Sequence, residues 1–145
     1  MIVVLAADHG GANLKNELAA VLRDKGYKIL DLGTNDAEVS VDYPVYAKEA
    51  ALLVAEGKAD RGIVCCGSGI GMSIASNRVR GVRCALCMDE NMAELSRRHN
   101  DANMLALGGR LLDVEKAKRI MESWLETKFE GGRHKRRIDM IDGGW

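Results

Sequence analysis

Short continuous apolar runs alternate along this chain with segments whose apolar residues recur at helical spacing. A continuous apolar run is typical of a strand that is buried on both faces, as in parallel sheets covered by helices. Parallel strands also need long crossover connections, which the segments with helical spacing supply. The alternation therefore predicts one parallel sheet with right-handed crossovers, whose five strands lie at 2–7, 28–32, 62–66, 83–87 and 103–107.

The predicted helices have recognisable ends. Pro44 suits the first turn of the second helix, which Gly57 ends. A glycine-rich turn opens the third helix, residues 89–98 form the fourth, and Asp113 can cap a last long helix. No repeat or linker interrupts the chain, so we expect a single domain over 1–145. The predicted fold is an α/β, Rossmann-like three-layer αβα sandwich with a five-stranded parallel sheet.

Composition and charge exclude several classes of partner. The 21 basic and 21 acidic side chains cancel, so no long-range field gathers nucleic acid or an anionic membrane. The first apolar run stops at Asp8 and His9 and lacks the basic leader of a signal peptide, so we expect a cytosolic protein. Its four cysteines should then be reduced and serve as core residues, metal ligands or nucleophiles.

Reactive residues follow three of the predicted strands. In open parallel sheets ligands bind outside the carboxyl ends of the strands. The first strand is followed by Asp8 and His9, the third ends in Cys66, and the fifth is followed by a glycine pair and Arg110. We therefore expect a carboxylate, an imidazole, a thiol and a guanidinium to converge at this edge.

The turn after Cys66 is rich in glycine and stands at the start of a helix. Its backbone N–H groups can point at one spot, which favours a phosphate or a developing oxyanion. The same field lowers the pKa of a thiol, so Cys66 is predicted to act as a base or nucleophile rather than merely to pack. Cys65 faces the other side of the strand and is expected in the core. The predicted ligand-binding residues of the turn are Gly67, Ser68, Gly69, Ile70 and Gly71.

Two other motifs are weak. As a dinucleotide fingerprint the turn fails, because Met72 stands where the third glycine belongs and the turn follows the third strand rather than the first. Cys84 and Cys87 have redox-motif spacing, but inside a strand their odd offset sends the sulfurs to opposite faces. We therefore expect no nucleotide cofactor and no metal.

Two basic segments lie away from these strand ends. Arg133 and Arg137 are four residues apart, so on a helix both could close on one phosphate, with His134 beside them, although a solvated surface is the plainer interpretation. His99 and Asn100 precede the fifth strand, at the amino end of the sheet and roughly 17–20 Å, one strand length, from the strand ends. His99 is then either a surface residue near a helix C-terminus or a group that a two-fold partner presents to Cys66.

Five motifs in order resemble one known family over essentially the whole chain. They closely resemble ribose-5-phosphate isomerase of type B, in a wider family that includes allose- and galactose-phosphate isomerases. The motifs are Asp8-His9-Gly10-Gly11, Val41-Asp42-Tyr43-Pro44, the stretch from Cys66 to Ala75, Ser96-Arg97-Arg98-His99-Asn100-Asp101-Ala102-Asn103 and Gly131-Gly132-Arg133-His134.

The resemblance implies a role for each matching position. Cys66 is similar to the base that moves a proton between C2 and C1, Ser68 to a support for the enediolate oxygen, and His99, with Asp8, to the group that opens the furanose ring. One branch of the family uses a glutamate later in the loop, but no carboxylate is present there, so the cysteine branch applies. Implied phosphate ligands are His9, Arg110, Arg133, His134 and Arg137, and Tyr43 and Asn100 are expected to line the sugar site.

The resemblance also implies a homodimer, sometimes a dimer of dimers, with sites between subunits. The tail, residues 128–145, would then contribute to the phosphate site and to the dimer. The predicted activity is the interconversion of ribose 5-phosphate and ribulose 5-phosphate without a metal or cofactor. Alternatives are an isomerase of a six-carbon sugar phosphate such as allose 6-phosphate, a galactose-phosphate isomerase subunit, or a non-catalytic nucleotide-binding domain.

Overall fold

Five strands form a single parallel sheet in the computed structural model, which describes residues 1–143. They are β1 (Ile2–Ala7), β2 (Lys28–Asp31), β3 (Arg61–Cys66), β4 (Cys84–Leu86) and β5 (Met104–Gly108). Their order across the sheet is β2-β1-β3-β5-β4, and every neighbouring pair is parallel. The predicted five-stranded parallel sheet is confirmed.

Helices cover both faces of this sheet. They are α1 (Ala12–Asp24), α2 (Tyr43–Ala55), α3 (Ile70–Ser76), α4 (Glu90–Asn100), α5 (Val114–Glu126) and α6 (Arg133–Asp142). Residues of α1, α4 and α5 pack on one face around Leu5 and Ile63, and residues of α2 and α3 pack on the other around Val4 and Val64. Successive strand residues thus enter opposite cores, as the alternation of side chains in a strand requires. None of the helices described is both long and apolar enough to cross a lipid bilayer.

Several element ends differ from the sequence prediction by one or two residues, and two of these differences have a clear physical cause. β4 begins at Cys84 rather than at Arg83, because the Arg83 N–H donates to the side chain of Asn103 at 2.8 Å and not to a neighbouring strand. α4 continues through Asn100 and stops where Asp101 adopts a left-handed conformation with φ 44°. His99 is therefore a helical residue and not part of a connecting loop.

The strand order explains where a ligand can enter. From β1 the chain passes to β2 on one side, whereas β3 lies on the other side of β1. Connections that leave two adjacent strands in opposite directions open a crevice at their carboxyl ends. Here the two strands are β1, which Asp8 follows, and β3, which ends in Cys66.

Candidate active site

A cavity of about 610 Å³ opens at the carboxyl ends of β1, β3 and β5. Its lining comes from the residues that follow these strands and from the starts of α2 and α3. The lining residues are Asp8, Tyr43, Cys66, Gly67, Ser68, Ile70, Gly71, Ile74, Arg110 and Leu111. The structure therefore gathers in one place most of the residues that the sequence assigned to the carboxyl edge of the sheet.

Cys66 is held at the floor of this cavity by the glycine-rich turn. Its side chain is 5% exposed, and its Sγ accepts a hydrogen bond from the N–H of Gly69 at 3.1 Å. Gly69 adopts φ +80°, and an added Cβ would lie 2.7 Å from Cδ1 of Leu86 and 2.9 Å from the carbonyl carbon of Leu107. Only glycine fits this position, and it brings its backbone N–H within hydrogen-bonding distance of the sulfur.

The other three cysteines are confined to the core. Burial raises the pKa of Cys65 to about 12, of Cys84 to about 12 and of Cys87 to about 11. Cys65 lies on the opposite face of the sheet from Cys66, and Cys84 and Cys87 belong to different core clusters, as predicted. These three thiols stay protonated near neutral pH, and Cys66 is the cysteine that lines the cavity.

The turn also organises Ser68 and its own remaining amides. The Oγ of Ser68 accepts a hydrogen bond from the N–H of Ile70 at 3.2 Å, which leaves the hydroxyl proton available for donation. Two of the amides predicted to face a ligand, those of Gly69 and Ile70, are thus used within the loop. The N–H of Gly71 has no backbone or side-chain acceptor among residues 1–143 and can bind an oxyanion.

Asp8 and His9 have fixed orientations after β1. Asp8 is 7% exposed, and its Oδ1 accepts hydrogen bonds from the N–H groups of Gly10 at 2.9 Å and Gly11 at 3.2 Å. The N–H of Val41 donates to Nδ1 of His9 at 3.2 Å, so a neutral His9 carries its proton on Nε2. Asp8 lines the cavity, whereas His9 is its neighbour in the chain but lies outside the lining.

Arg110 supplies positive charge to the cavity. The backbone N–H of Arg110 donates to the carbonyl oxygen of Gly67 at 2.9 Å. A Cβ added at Gly67 would lie 3.2 Å from Nη1 of the Arg110 side chain. Arg97 forms an ion pair with Asp101, but no such partner is found for Arg110 within the described part of the chain. Its guanidinium is therefore free to bind an anion.

Tyr43, the first residue of α2, forms part of the wall. Its ring lies so close to Gly71 that an added Cβ would be 2.7 Å from two ring carbons. The tyrosine is 40% exposed. Tyr43 therefore lines the cavity itself and packs against Gly71 in the first turn of α3.

A second group of predicted site residues lies where α4 and α6 pack together. The rings of His99 and His134 stack with centroids 4.2 Å apart and planes 12° apart. Burial lowers the pKa of His134, and nearby His99 and Arg133 lower it further. Arg133 and Arg137 are both exposed on α6, so they lie about one turn apart on the same helix.

This second group does not meet the first within one chain. α4 runs back from the carboxyl edge, so His99 and Asn100 stand just before β5 begins, at the amino edge of the sheet. Asn100 lines a different cavity, of about 420 Å³, and its carbonyl oxygen accepts a hydrogen bond from Nε of Arg83 at 2.9 Å. None of His99, Asn100, His134, Arg133 and Arg137 lines the cavity at Cys66.

Two lining residues were missed by the sequence reasoning. Ile74 and Leu111 are large apolar side chains that are 59% and 57% exposed at the rim of the cavity. Ile70 is four residues before Ile74 on α3 and is 51% exposed. Exposed apolar residues at helical spacing indicate a surface that another protein covers. The spacing alone does not show which face of a short helix packs in the core, so the sequence could not separate these residues from core residues.

The cavity is large enough for a small metabolite and is lined by a carboxylate, a thiol and a guanidinium. Fold and site together therefore indicate an α/β enzyme that acts on small molecules. A family model described as Ribose/Galactose Isomerase matches residues 3–141. The chain belongs to this family and is an isomerase, so the alternative of a non-catalytic nucleotide-binding domain is wrong.

Relatives cover nearly the full length of the chain. Ribose-5-phosphate isomerase B of Escherichia coli strain K12 is 45% identical over 139 residues, which are 96% of this chain and 93% of that protein. The solved structure of ribose-5-phosphate isomerase B of Clostridium thermocellum superposes with a TM-score of 0.96 at 48% identity, covering 99% of this chain and 96% of the other. The crystal structure of the Mycoplasma genitalium enzyme, with bound ribulose 5-phosphate, has a TM-score of 0.94 at 38% identity and covers 98% and 94% of the two chains.

Proposed function

We propose that this isomerase interconverts ribose 5-phosphate and ribulose 5-phosphate, with Cys66 as the base at carbon. The observation that carries the proposal is the hydrogen bond from the Gly69 N–H to Sγ of Cys66, at 3.1 Å inside a cavity that also holds Asp8 and Arg110. Relatives named for this substrate, one of them with ribulose 5-phosphate bound, support the choice of a five-carbon sugar. Phosphorylated sugars are charged and do not cross membranes, so we also place the activity in the cytosol.

The proton transfer is proposed to run through an enediolate. The Cys66 thiolate takes the proton from C2 of the open-chain aldose, and the electrons of that bond form the C1–C2 double bond as negative charge moves to O1. Cys66 then returns the proton to C1, the hydroxyl proton of O2 passes to O1, and the C2 carbonyl forms. The free N–H of Gly71 and the hydroxyl of Ser68 suit the charged oxygen, and such a donor contributes about 3–4 kcal/mol to transition states of this kind.

The phosphate is proposed to bind Arg110 in this cavity, with His9 next to it. No salt bridge among the described residues includes Arg110, so its guanidinium is left for a phosphate. A neutral His9 can donate its Nε2 proton to the phosphate, because Nδ1 already accepts the Val41 N–H. Binding of this non-reacting end holds the open chain in register for proton transfer.

The remaining functional groups are proposed to come from a second subunit. His99, which would open the furanose ring with Asp8, and Arg133 and Arg137, which would complete the phosphate site, lie at the other end of the sheet in the same chain. The exposed apolar residues Ile70, Ile74 and Leu111 rim the cavity, as a surface covered by another protein would. A two-fold homodimer in which each subunit closes the other's cavity brings the two groups together.

Replacing Cys66 by alanine tests the role of the base. Turnover of ribose 5-phosphate should fall by at least about 100-fold, because general-base catalysis contributes that much or more, while sugar-phosphate binding and the unfolding midpoint persist. The matched control is Cys65→Ala, whose buried sulfur faces the opposite core. Normal turnover by Cys66→Ala would refute the mechanism.

Mixed dimers test whether the site is shared. Cys66→Ala and His99→Ala chains are each expected to be inactive, but a dimer that contains one of each has one cavity with both groups intact. Subunit exchange, verified by differently tagged chains, should therefore restore activity. No recovery after exchange would contradict the shared site.

Comparison of two substrates on one preparation tests the sugar. Under the proposal kcat/KM for ribose 5-phosphate exceeds that for allose 6-phosphate. A clear preference for the hexose would leave the isomerase class intact and overturn the five-carbon assignment.

A further inference from the structure

We infer that His99, Glu130 and His134 of a single subunit form a binding site for a divalent transition metal such as Zn²⁺. One donor atom of each residue lies within 4.8 Å of the other two. Two imidazoles and a carboxylate are a ligand set that open zinc sites use, with ligand distances near 2.1 Å that place donors about 3.4 Å apart. Small side-chain movements bring the present spacing to that value.

An unpaired buried nitrogen points to a ligand at this place. His134 is 6% exposed, and its Nε2 has no hydrogen-bond partner among the residues described. The nearest carboxylate oxygen, Oε2 of Glu130, is 3.6 Å away, which is too long for a hydrogen bond. A buried nitrogen without a partner costs free energy, and coordination of an ion between His134 and Glu130 would recover it.

The other two ligands can turn toward the same point. His99 is half-buried and stacks on His134. Rotation about χ2, which is a soft torsion in histidine, would turn its in-plane lone pair toward a shared ion. Oε1 of Glu130 accepts a hydrogen bond from Nε of Arg98 at 2.6 Å, which holds the carboxylate and leaves Oε2 for the metal. Because Arg98 and Arg133 oppose a cation, we expect an affinity well below that of closed structural zinc sites.

Binding would inhibit the enzyme, and this consequence rests on the proposed function. A metal-bound His99 has no lone pair to accept a proton during ring opening, and an ion at His134 alters the charge of the proposed phosphate site. Catalysis itself needs no metal under this proposal. Zn²⁺ should therefore act as an inhibitor that competes with the sugar phosphate, and a chelator should reverse its effect.

Titration with Co²⁺ in phosphate-free buffer tests the site directly, because Co²⁺ is a visible-absorption probe for zinc positions. The Cys66→Ala protein is used so that the cavity thiol cannot bind the ion. We expect saturable binding of one ion per chain, displaced by Zn²⁺, with the dissociation constant raised at least about tenfold by Glu130→Gln. The matched control, Glu126→Gln, removes another exposed glutamate and should bind as before.

The outcomes separate this site from the proposed function. Absence of saturable Co²⁺ binding, or equal binding by the Glu130→Gln and Glu126→Gln proteins, would overturn the metal site whatever the enzyme does. If binding follows the pattern above, Zn²⁺ should inhibit the wild-type enzyme and the Glu126→Gln variant. Inhibition should be weaker in the Glu130→Gln variant. If Co²⁺ binds in this pattern but the chain with Cys66 intact does not isomerise ribose 5-phosphate, the proposed function is refuted and the metal site stands.

Discussion

Alanine at position 69 is expected to damage stability and turnover by separate amounts. Gly69 has φ +80°, a conformation that costs an L-residue about 1–2 kcal/mol. Its new Cβ would also lie 2.9 Å from a backbone atom of Leu107, and relief of such crowding costs about 1–3 kcal/mol more. The loop must therefore shift, and the shift takes the Gly69 N–H away from Sγ of Cys66.

Gly57 offers a matched control for this substitution. It has φ +73° at the end of α2, and no atom lies within 4 Å of an added Cβ. Gly57→Ala should therefore lose about 1–2 kcal/mol of unfolding free energy and keep its turnover. Gly69→Ala should lose about 2–5 kcal/mol, since both costs apply there. Its kcat should fall about 10- to 100-fold, because a hydrogen bond to a charged group contributes about 1.5–3 kcal/mol.

Urea unfolding at one fixed protein concentration and a coupled isomerase assay measure the two effects. Fixed concentration matters because association of subunits shifts apparent stability. Equal losses of stability in the Gly69→Ala and Gly57→Ala proteins would show that the atoms around Gly69 move aside without a free-energy cost. Wild-type kcat in Gly69→Ala would refute the argument that the amide supports the sulfur during turnover.

Three further outcomes are expected. Raising the pH from 8 to 10 should lower the free energy of unfolding by about 4 kcal/mol in urea titrations, and an unchanged value would contradict this expectation. The folded state holds the pKa of three thiols above 9.0, so the unfolded chain ionises them first as the pH rises. Their contribution to stability is therefore complete below pH 9 and is lost above it. These thiols are Cys65, Cys84 and Cys87. Arg110→Ala should raise KM for the sugar phosphate about 10- to 100-fold. The control variant Arg119→Ala, whose arginine is exposed on α5, should keep the wild-type KM. Equal KM values for the two variants would exclude Arg110 as the phosphate ligand. Gly71→Ala should destabilise the protein less when Tyr43 is also alanine, with a coupling of about 1 kcal/mol in a double-mutant cycle, and strict additivity would mean that the ring already moves aside.

The sequence was informative wherever local chemistry decides the structure. The apolar runs of β1, β3 and β5 and the residues that follow them predict the carboxyl edge of the sheet, and Cys66 lies there with its glycine turn. The predicted end of α4 was wrong because the helix stops at Asp101, which adopts a left-handed conformation although it is not glycine. The residue type alone does not indicate that conformation. The stacking of His99 on His134 joins two helices distant in the chain, and no periodicity encodes such a contact.

The position of β5 between β3 and β4 has a consequence for how the chain is made. β4 is synthesised before β5, yet among the described strands β5 is the one that pairs with it. Until residues 104–108 have left the ribosome, one side of β3 and the whole of β4 present unpaired backbone groups, which are sites for wrong pairing. The sheet can therefore close only late in synthesis, and a nascent chain that stalls after α4 is expected to depend on chaperones.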